Sequence, residues 1–350
     1  MKNRYNHTGR NVTGRQVLLL AGVAVMSAAT LTACSSGTSP GGSTTEPTGT
    51  QSLIDVTWGV LPSVTSAPDY VAYEEGFFEA EGLNVTLQQF QGGSVIVEAI
   101  VSGSIDGGEV GSAPLVAATS KGIDLVNVLS YAMFDQERSP QAVIVAADSS
   151  LKTLKDLRGH KIAVNTLGSL EDMRLKGQIL PSVGLTTDDV ELLQLPWPNM
   201  AEALARGQVD AVLPFDPFTT QMVQDTDRFR VLSDLTELVP DGGLPLTTMS
   251  MSGKLWSSNP ELAAKFAAAI GASIKFIEEN PERAAQITGK AIQVDSELVE
   301  ATLANLTFSG ETTQPKKAYE NLVDVAKKAG LLPANSTYDP SRFLVEPTSR

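Results

Sequence analysis

The sequence predicts an α/β protein of two lobes, joined by two hinge crossovers with a ligand cleft between the lobes. Three observations carry this. A nine-residue block recurs in the second half of the chain, strand-like and helix-like segments alternate around both copies, and an apolar extended run follows each copy.

Taken in chain order, the first element is not part of the fold. Lys2, Arg4, Arg10 and Arg15 precede an apolar stretch from Val17 to Leu31, which ends in Leu31-Thr32-Ala33-Cys34. A positive start, a short apolar run and small residues at a cut site read as a secretory signal peptide over residues 1–33. Cys34 is the single cysteine of the chain, so no intrachain disulfide can form. Its place after Leu-Thr-Ala resembles the bacterial lipobox, which implies a lipidated Cys34. Residues 35–50 are Ser, Gly, Thr and Pro with one Glu. They cannot bury apolar area and are expected to form a tether of roughly 20–25 Å end to end. The expected place is therefore the outer face of the cytoplasmic membrane, with contact through the lipid anchor alone.

The repeat begins beyond the tether. Glu98-Ala99-Ile100-Val101-Ser102-Gly103-Ser104-Ile105-Asp106 is matched by Glu202-Ala203-Leu204-Ala205-Arg206-Gly207-Gln208-Val209-Asp210. Each block reads as a helix end, a glycine just past it and the start of a strand. Upstream lie Gly82-Leu83 and Gly184-Leu185, leading into strands over 85–89 and 190–195. Before those come strands over 54–59 and 161–165. The helix after the first should open near Ser66-Ala67-Pro68, with Ser66 as N-cap and proline at the first helical position. The helix after the second should open near Gly168-Ser169. The alternation predicts a parallel sheet in each lobe.

Ala142–Ala146 and Leu246–Met251 are read as the outgoing and returning crossover strands. Beyond 252 the pattern is helical: Asn259-Pro260-Glu261 opens a helix on which Leu262, Phe266, Ile270, Ile274 and Ile277 share a face. Further helices start at Asn280-Pro281 and Gln314-Pro315, and Gly330 ends the last. The expected division is lobe 1 over 51–141 plus 247–350 and lobe 2 over 142–246.

Gly76-Phe77-Phe78-Glu79-Ala80-Glu81-Gly82-Leu83-Asn84-Val85, Ser102-Gly103-Ser104-Ile105-Asp106 with Gly111-Ser112-Ala113-Pro114, and Leu154 to Val164 followed by Gly168-Ser169 resemble stretches of one family. That family is the nitrate/sulfonate/taurine-type substrate-binding proteins of ABC transporters. The resemblance implies a type II periplasmic-binding-protein fold and a small-molecule ligand. It also implies a permease with its ATPase as partners. It leaves open the choice among nitrate, sulfonates, taurine, aromatic acids and thiamine-related aminopyrimidines.

In open α/β sheets, ligands bind beyond the carboxyl ends of the strands, where helix N-termini point. Five loops fall there, and they supply the candidate binding residues Ser63, Thr65, Gly93, Ser94, Gly111, Ser112, Thr166, Gly168, Ser169, Trp197 and Asn199. Trp197 either stacks on a ligand ring or packs against the protein. Phe215 and Asp216 follow the last strand of the second copy. Asp216 is either the N-cap before Pro217 or a carboxylate receiving a ligand amine. Arg138 either reaches an acidic ligand or is solvated.

The formal charge is −14, and four of the 26 Lys and Arg precede residue 34. The remainder carries 22 cations against 40 acids, a net −18, which argues against nucleic acid as a partner. An anion would be held by local donors against that field, which salt screens beyond about 8–10 Å. Catalysis is disfavoured: His7 falls in the leader, His160 stands alone, and no Cys/His metal set, GxSxG or phosphate loop is present. No metal or cofactor is expected, and the expected form is a monomer. The remaining enzyme reading is a thiamine-pyrimidine-synthase-like activity.

Overall fold

A computed structural model describes residues 53–347 except 138. The leader, Cys34, the tether and Arg138 lie outside the described residues. Eleven strands form two sheets. The first holds β1 (Ile54–Val60), β2 (Leu83–Gln89), β3 (Gly107–Gly111), β4 (Leu125–Phe134), β10 (Leu244–Ser252) and β11 (Thr307–Phe308), in the order β11-β4-β10-β3-β1-β2. The second holds β5 (Val143–Ala146), β6 (Lys161–Val164), β7 (Glu191–Gln194), β8 (Ala211–Val212) and β9 (Phe229–Ser233), in the order β7-β6-β8-β5-β9.

The repeat is visible in this topology. β2-β1-β3 and β7-β6-β8 are parallel triplets in the same spatial order. The paired glycines do the same work in both copies. Gly82 and Gly184 have φ +79° and +71°, and Gly103 and Gly207 have +73° and +66°, so each sits in the left-handed region that favours glycine. The aspartate that ends each block also has one role. Asp106 Oδ2 accepts from Thr57 N–H, and Asp210 Oδ2 accepts from Lys161 N–H, both at 2.8 Å. Each clasps the neighbouring parallel strand, in the middle of β1 and at the start of β6.

The sheets depart from the expected parallel arrangement, and the crossover strands are the reason. β10, which contains Leu246–Met251, runs antiparallel between β3 and β4 in the first sheet. β5, the core of Ala142–Ala146, runs antiparallel between β8 and β9 in the second. Both are ladder strands within one sheet, so neither is a crossover. The connections that pass between sheets lie just before them, over 135–142 and 234–243. They touch where Gln136 Nε2 donates to the Val239 carbonyl at 2.9 Å.

The C-terminal helices follow the expected pattern. Asn259 caps the helix Pro260–Glu279 by accepting from Leu262 N–H at 3.3 Å, and Leu262, Phe266, Ile270, Ile274 and Ile277 are all buried. Phe266 packs on Trp58 of β1 and Phe78, with ring centroids 4.0 and 4.6 Å apart. This face therefore closes the core of the first sheet. Helices Pro281–Ile292 and Lys316–Lys328 start where the prolines predict. Among the described residues no helix is long and apolar enough to cross a membrane.

Candidate functional site

Because β10 is antiparallel to both β3 and β4, the ends of those strands at Gly111 and Phe134 reach the same edge of the first sheet, with those of β1 and β2. In the second sheet the ends of β6, β7 and β8 share an edge with the start of β5. The five predicted loops all leave these two edges. The edges meet: Phe134 at the end of β4 stands edge-on to Phe215 beyond β8, centroids 6.3 Å apart, and the Trp197 ring lies 5.9 Å from Phe215. The helix Ser112–Thr119 packs on the helix Leu170–Arg174 across the same junction.

The candidates divide by what their polar atoms do. Ser63 and Thr65 are buried and turned inward: Ser63 Oγ accepts from Thr65 N–H at 3.3 Å, and Thr65 Oγ1 donates to Glu109 Oε1 at 2.7 Å. Ser66 stands before the helix Ala67–Glu74 but its hydroxyl does not cap it, and Pro68 is the second helical residue. The hydroxyl turns instead to the Leu61 carbonyl at 2.8 Å and to Glu109 Oε2. The Ser66 oxygen accepts from Leu61 N–H at 3.2 Å rather than from a helix N–H, and so the expected cap is lost. Gly93 lies against the Gly111 loop, where an added Cβ would come within 3.0 Å of Gly111 N, and Ser94 is exposed. Ser112 opens its helix fully buried, with Oγ unpartnered.

On the second sheet, Ser169 is the N-cap of Leu170–Arg174, accepting from Asp172 N–H at 3.3 Å, and Gly168 N–H goes to Asp172 Oδ2 at 2.8 Å. Thr166 and Asn199 are exposed. Trp197 begins the helix Trp197–Ala205 half-buried, with its indole N–H unpartnered. Asp216 is neither the expected N-cap nor a free carboxylate. The helix Phe218–Gln224 starts two residues later with Pro217 at the N-cap. Asp216 Oδ1 accepts from Thr220 N–H and Oγ1, both at 2.9 Å, and Oδ2 from Asn305 Nδ2 at 3.0 Å. Burial pushes its carboxyl up to about 6 against those hydrogen bonds. The aspartate thus links the second-sheet segment to the residues just past the helix Ser296–Leu303.

The sequence reading missed Arg174, Gln141 and Phe134. Arg174 is fully buried; it donates from Nη1 to Gln141 Oε1 at 2.7 Å and from Nε to Gln178 Oε1 at 2.9 Å, and it lies over the Phe134 ring at 4.3 Å. Burial brings its pKa down to about 10, opposed by Glu171, so it stays charged at neutral pH. Its signal was present in the periodicity. Leu170, Met173, Arg174 and Gly177 fall at i, i+3, i+4 and i+7, which puts an arginine on the buried stripe.

A hollow of about 790 Å³ lies beside the helix Ser296–Leu303 and the start of the 135–142 connection. Five carboxylates line it (Asp135, Glu137, Glu278, Glu297 and Glu300) and no cationic side chain does. Such a surface repels anions.

A model of the NMT1-like family matches residues 49–292, well over half of the chain. The chain belongs to the NMT1-like family. Among relatives, the taurine-binding periplasmic protein of Escherichia coli (strain K12) is 27% identical over 303 residues, 81% of this chain and 92% of its own. A Haemophilus influenzae protein named for thiamine biosynthesis is 31% identical over 156 residues, 45% of this chain and 47% of its own. The solved periplasmic aliphatic sulphonate binding protein SsuA from Escherichia coli superposes with a TM-score of 0.71 at 22% identity, covering 85% of this chain and 93% of that one. This NMT1-like protein has the periplasmic-binding-protein fold, and the taurine and sulphonate relatives are binding proteins.

Proposed function

We propose that this protein is the extracytoplasmic solute-binding lipoprotein of an ABC importer, taking a small organic acid or anion of the sulfonate, taurine or nitrate type. The cleft lies between the sheets and the protein delivers its solute to a permease with its ATPase. The observation that carries the reading is the meeting of the two carboxyl edges at Phe134, Phe215 and Trp197. Loops from both sheets there can close on one small molecule, and the two connections over 135–142 and 234–243 are the hinge. Lipidation at Cys34 holds the protein at the membrane, with residues 35–50 as leash and the folded part as a monomer. The likeness to the taurine and sulphonate binding proteins supports the ligand class.

The second reading is uptake of a thiamine-related aminopyrimidine, favoured by the relative named for thiamine biosynthesis. A thermal-shift screen of the full-length protein against ethanesulfonate, taurine, nitrate, benzoate and an aminopyrimidine separates the two. Stabilisation by at least one anion is expected, since a ligand at a hundred times its Kd adds about 2.7 kcal/mol. Stabilisation by the aminopyrimidine alone selects the second reading, and a response to none of them refutes the first.

A further inference from the structure

We infer that Arg174 is the seat of the solute's anionic group, with Nη2 as its leading donor and the Gln141 amide beside it. This rests on the proposed solute-binding reading and deepens it. The guanidinium is wholly buried and held from two sides by neutral amide oxygens. Because a guanidinium only donates, its bond to Gln141 Oε1 fixes which way that amide faces. Gln141 Nε2 is thereby left as a donor, and both Nη2 and Nε2 are buried without partners. Among the described residues no carboxylate makes an ion pair with Arg174. Glu171, three residues earlier, is itself buried, hydrogen-bonded to Ser169, and raised by that burial.

A structural arginine in an interior is matched by a carboxylate and has its donors filled. Here the guanidinium's hydrogen-bond partners are neutral amides, Glu171 acts on it only through space, and two donors remain open. Free donors of this kind call for an acceptor-rich anion with at least two oxygens, such as a sulfonate, a carboxylate or nitrate. The position suits closure as well. Arg174 belongs to the second sheet's layer, Gln141 to a connection between sheets, and Phe134 to the first sheet. An anion at Nη2 therefore bears on both lobes and on the hinge, so it favours the closed form over the open one. The rings of Phe134, Phe215 and Trp197 lie where the organic remainder would rest.

The test is titration calorimetry on the full-length protein, with ethanesulfonate, nitrate and benzoate as anionic probes and ethyl methyl sulfone as the neutral counterpart. Wild type is expected to bind at least one anion one-to-one and to ignore the sulfone. Arg174→Met should weaken the anion at least a hundredfold. Arg174→Lys, which keeps the charge and loses the planar fork, should weaken it about tenfold while unfolding within a few degrees of wild type. Unchanged anion affinity in either variant overturns the seat and leaves the solute-binding reading intact. If Arg174→Met does not fold, the Lys variant decides alone. Wild type that takes the sulfone or an aminopyrimidine but no anion also overturns the seat without touching the fold's role as a binder. A protein that binds none of the probes overturns both.

Discussion

Replacing Glu109 by Gln should make the protein less sensitive to alkaline pH. Glu109, in the middle of β3, is buried with Asp69 close by, and burial first and the Asp69 charge second push its carboxyl up to about 8. Asp69, held by Trp58 Nε1 at 3.0 Å and Tyr131 OH at 2.7 Å, is pushed up by burial to about 7. The other titratable group against the pair is Tyr70, whose hydroxyl donates to the Leu61 carbonyl at 2.9 Å. Hydrogen counting supports a protonated Glu109. Ser66 Oγ lies between the Leu61 carbonyl and Glu109 Oε2 with one hydrogen for two acceptors, and a protonated carboxyl supplies the second. A carboxyl raised in the folded state contributes stability that is complete below its unfolded value and is lost as pH rises through the folded one. For Glu109 that window runs from 4.5 to about 8. At about 1.4 kcal/mol per pH unit the loss is on the order of 3–5 kcal/mol, or roughly 5–8 °C in unfolding midpoint for a chain of this size. Glu109→Gln mimics the protonated acid and cannot ionise, and it removes one of the charges acting on its neighbours. Urea and thermal unfolding at pH 5, 7 and 9 should show wild type and variant close together at pH 5, with the variant ahead by pH 9. Parallel stability curves for the two proteins would refute the reasoning.

Two further predictions follow from particular atoms. Gly177→Ala should destabilise by about 1–3 kcal/mol in urea unfolding, because the new Cβ would be driven into the Val325 carbonyl of the helix Lys316–Lys328 and to 3.0 Å from the N of Ala329, which caps its end; an unchanged midpoint would mean that this helix yields freely. Cys34→Ser should leave unfolding unchanged and move the protein from the detergent phase to the aqueous phase on phase separation. Retention with membranes would sink the lipid anchor.

Much of the architecture was legible because punctuation repeats. Glycines that need left-handed backbone, and aspartates that clasp a neighbouring strand, recur at matched places, so the two βαβ units could be read without any contact map. The strand directions could not be read so well. β4 is buried along nearly its whole length, so it lacks the alternation that marks a half-exposed strand. β5 and β10 looked like connections because nothing in a short apolar run says which sheet it will pair with. At the site, loops at strand ends follow from the topology and were found. Thr65 and Ser66 satisfy a buried acid that lies 44 and 43 residues away in the chain, and Ser63 turns to Thr65. Arg174 was passed over because a charged residue in a helix reads as solvated unless its place on the apolar stripe is counted.

The central claim is that the two sheets close on a small solute about the connections over 135–142 and 234–243. Small-angle scattering of the full-length protein, without and with a saturating amount of whichever anion stabilises it, tests this directly. The account predicts a smaller radius of gyration and a shorter maximum dimension with the anion bound. Superimposable scattering curves in the two states, at confirmed saturation, would contradict it.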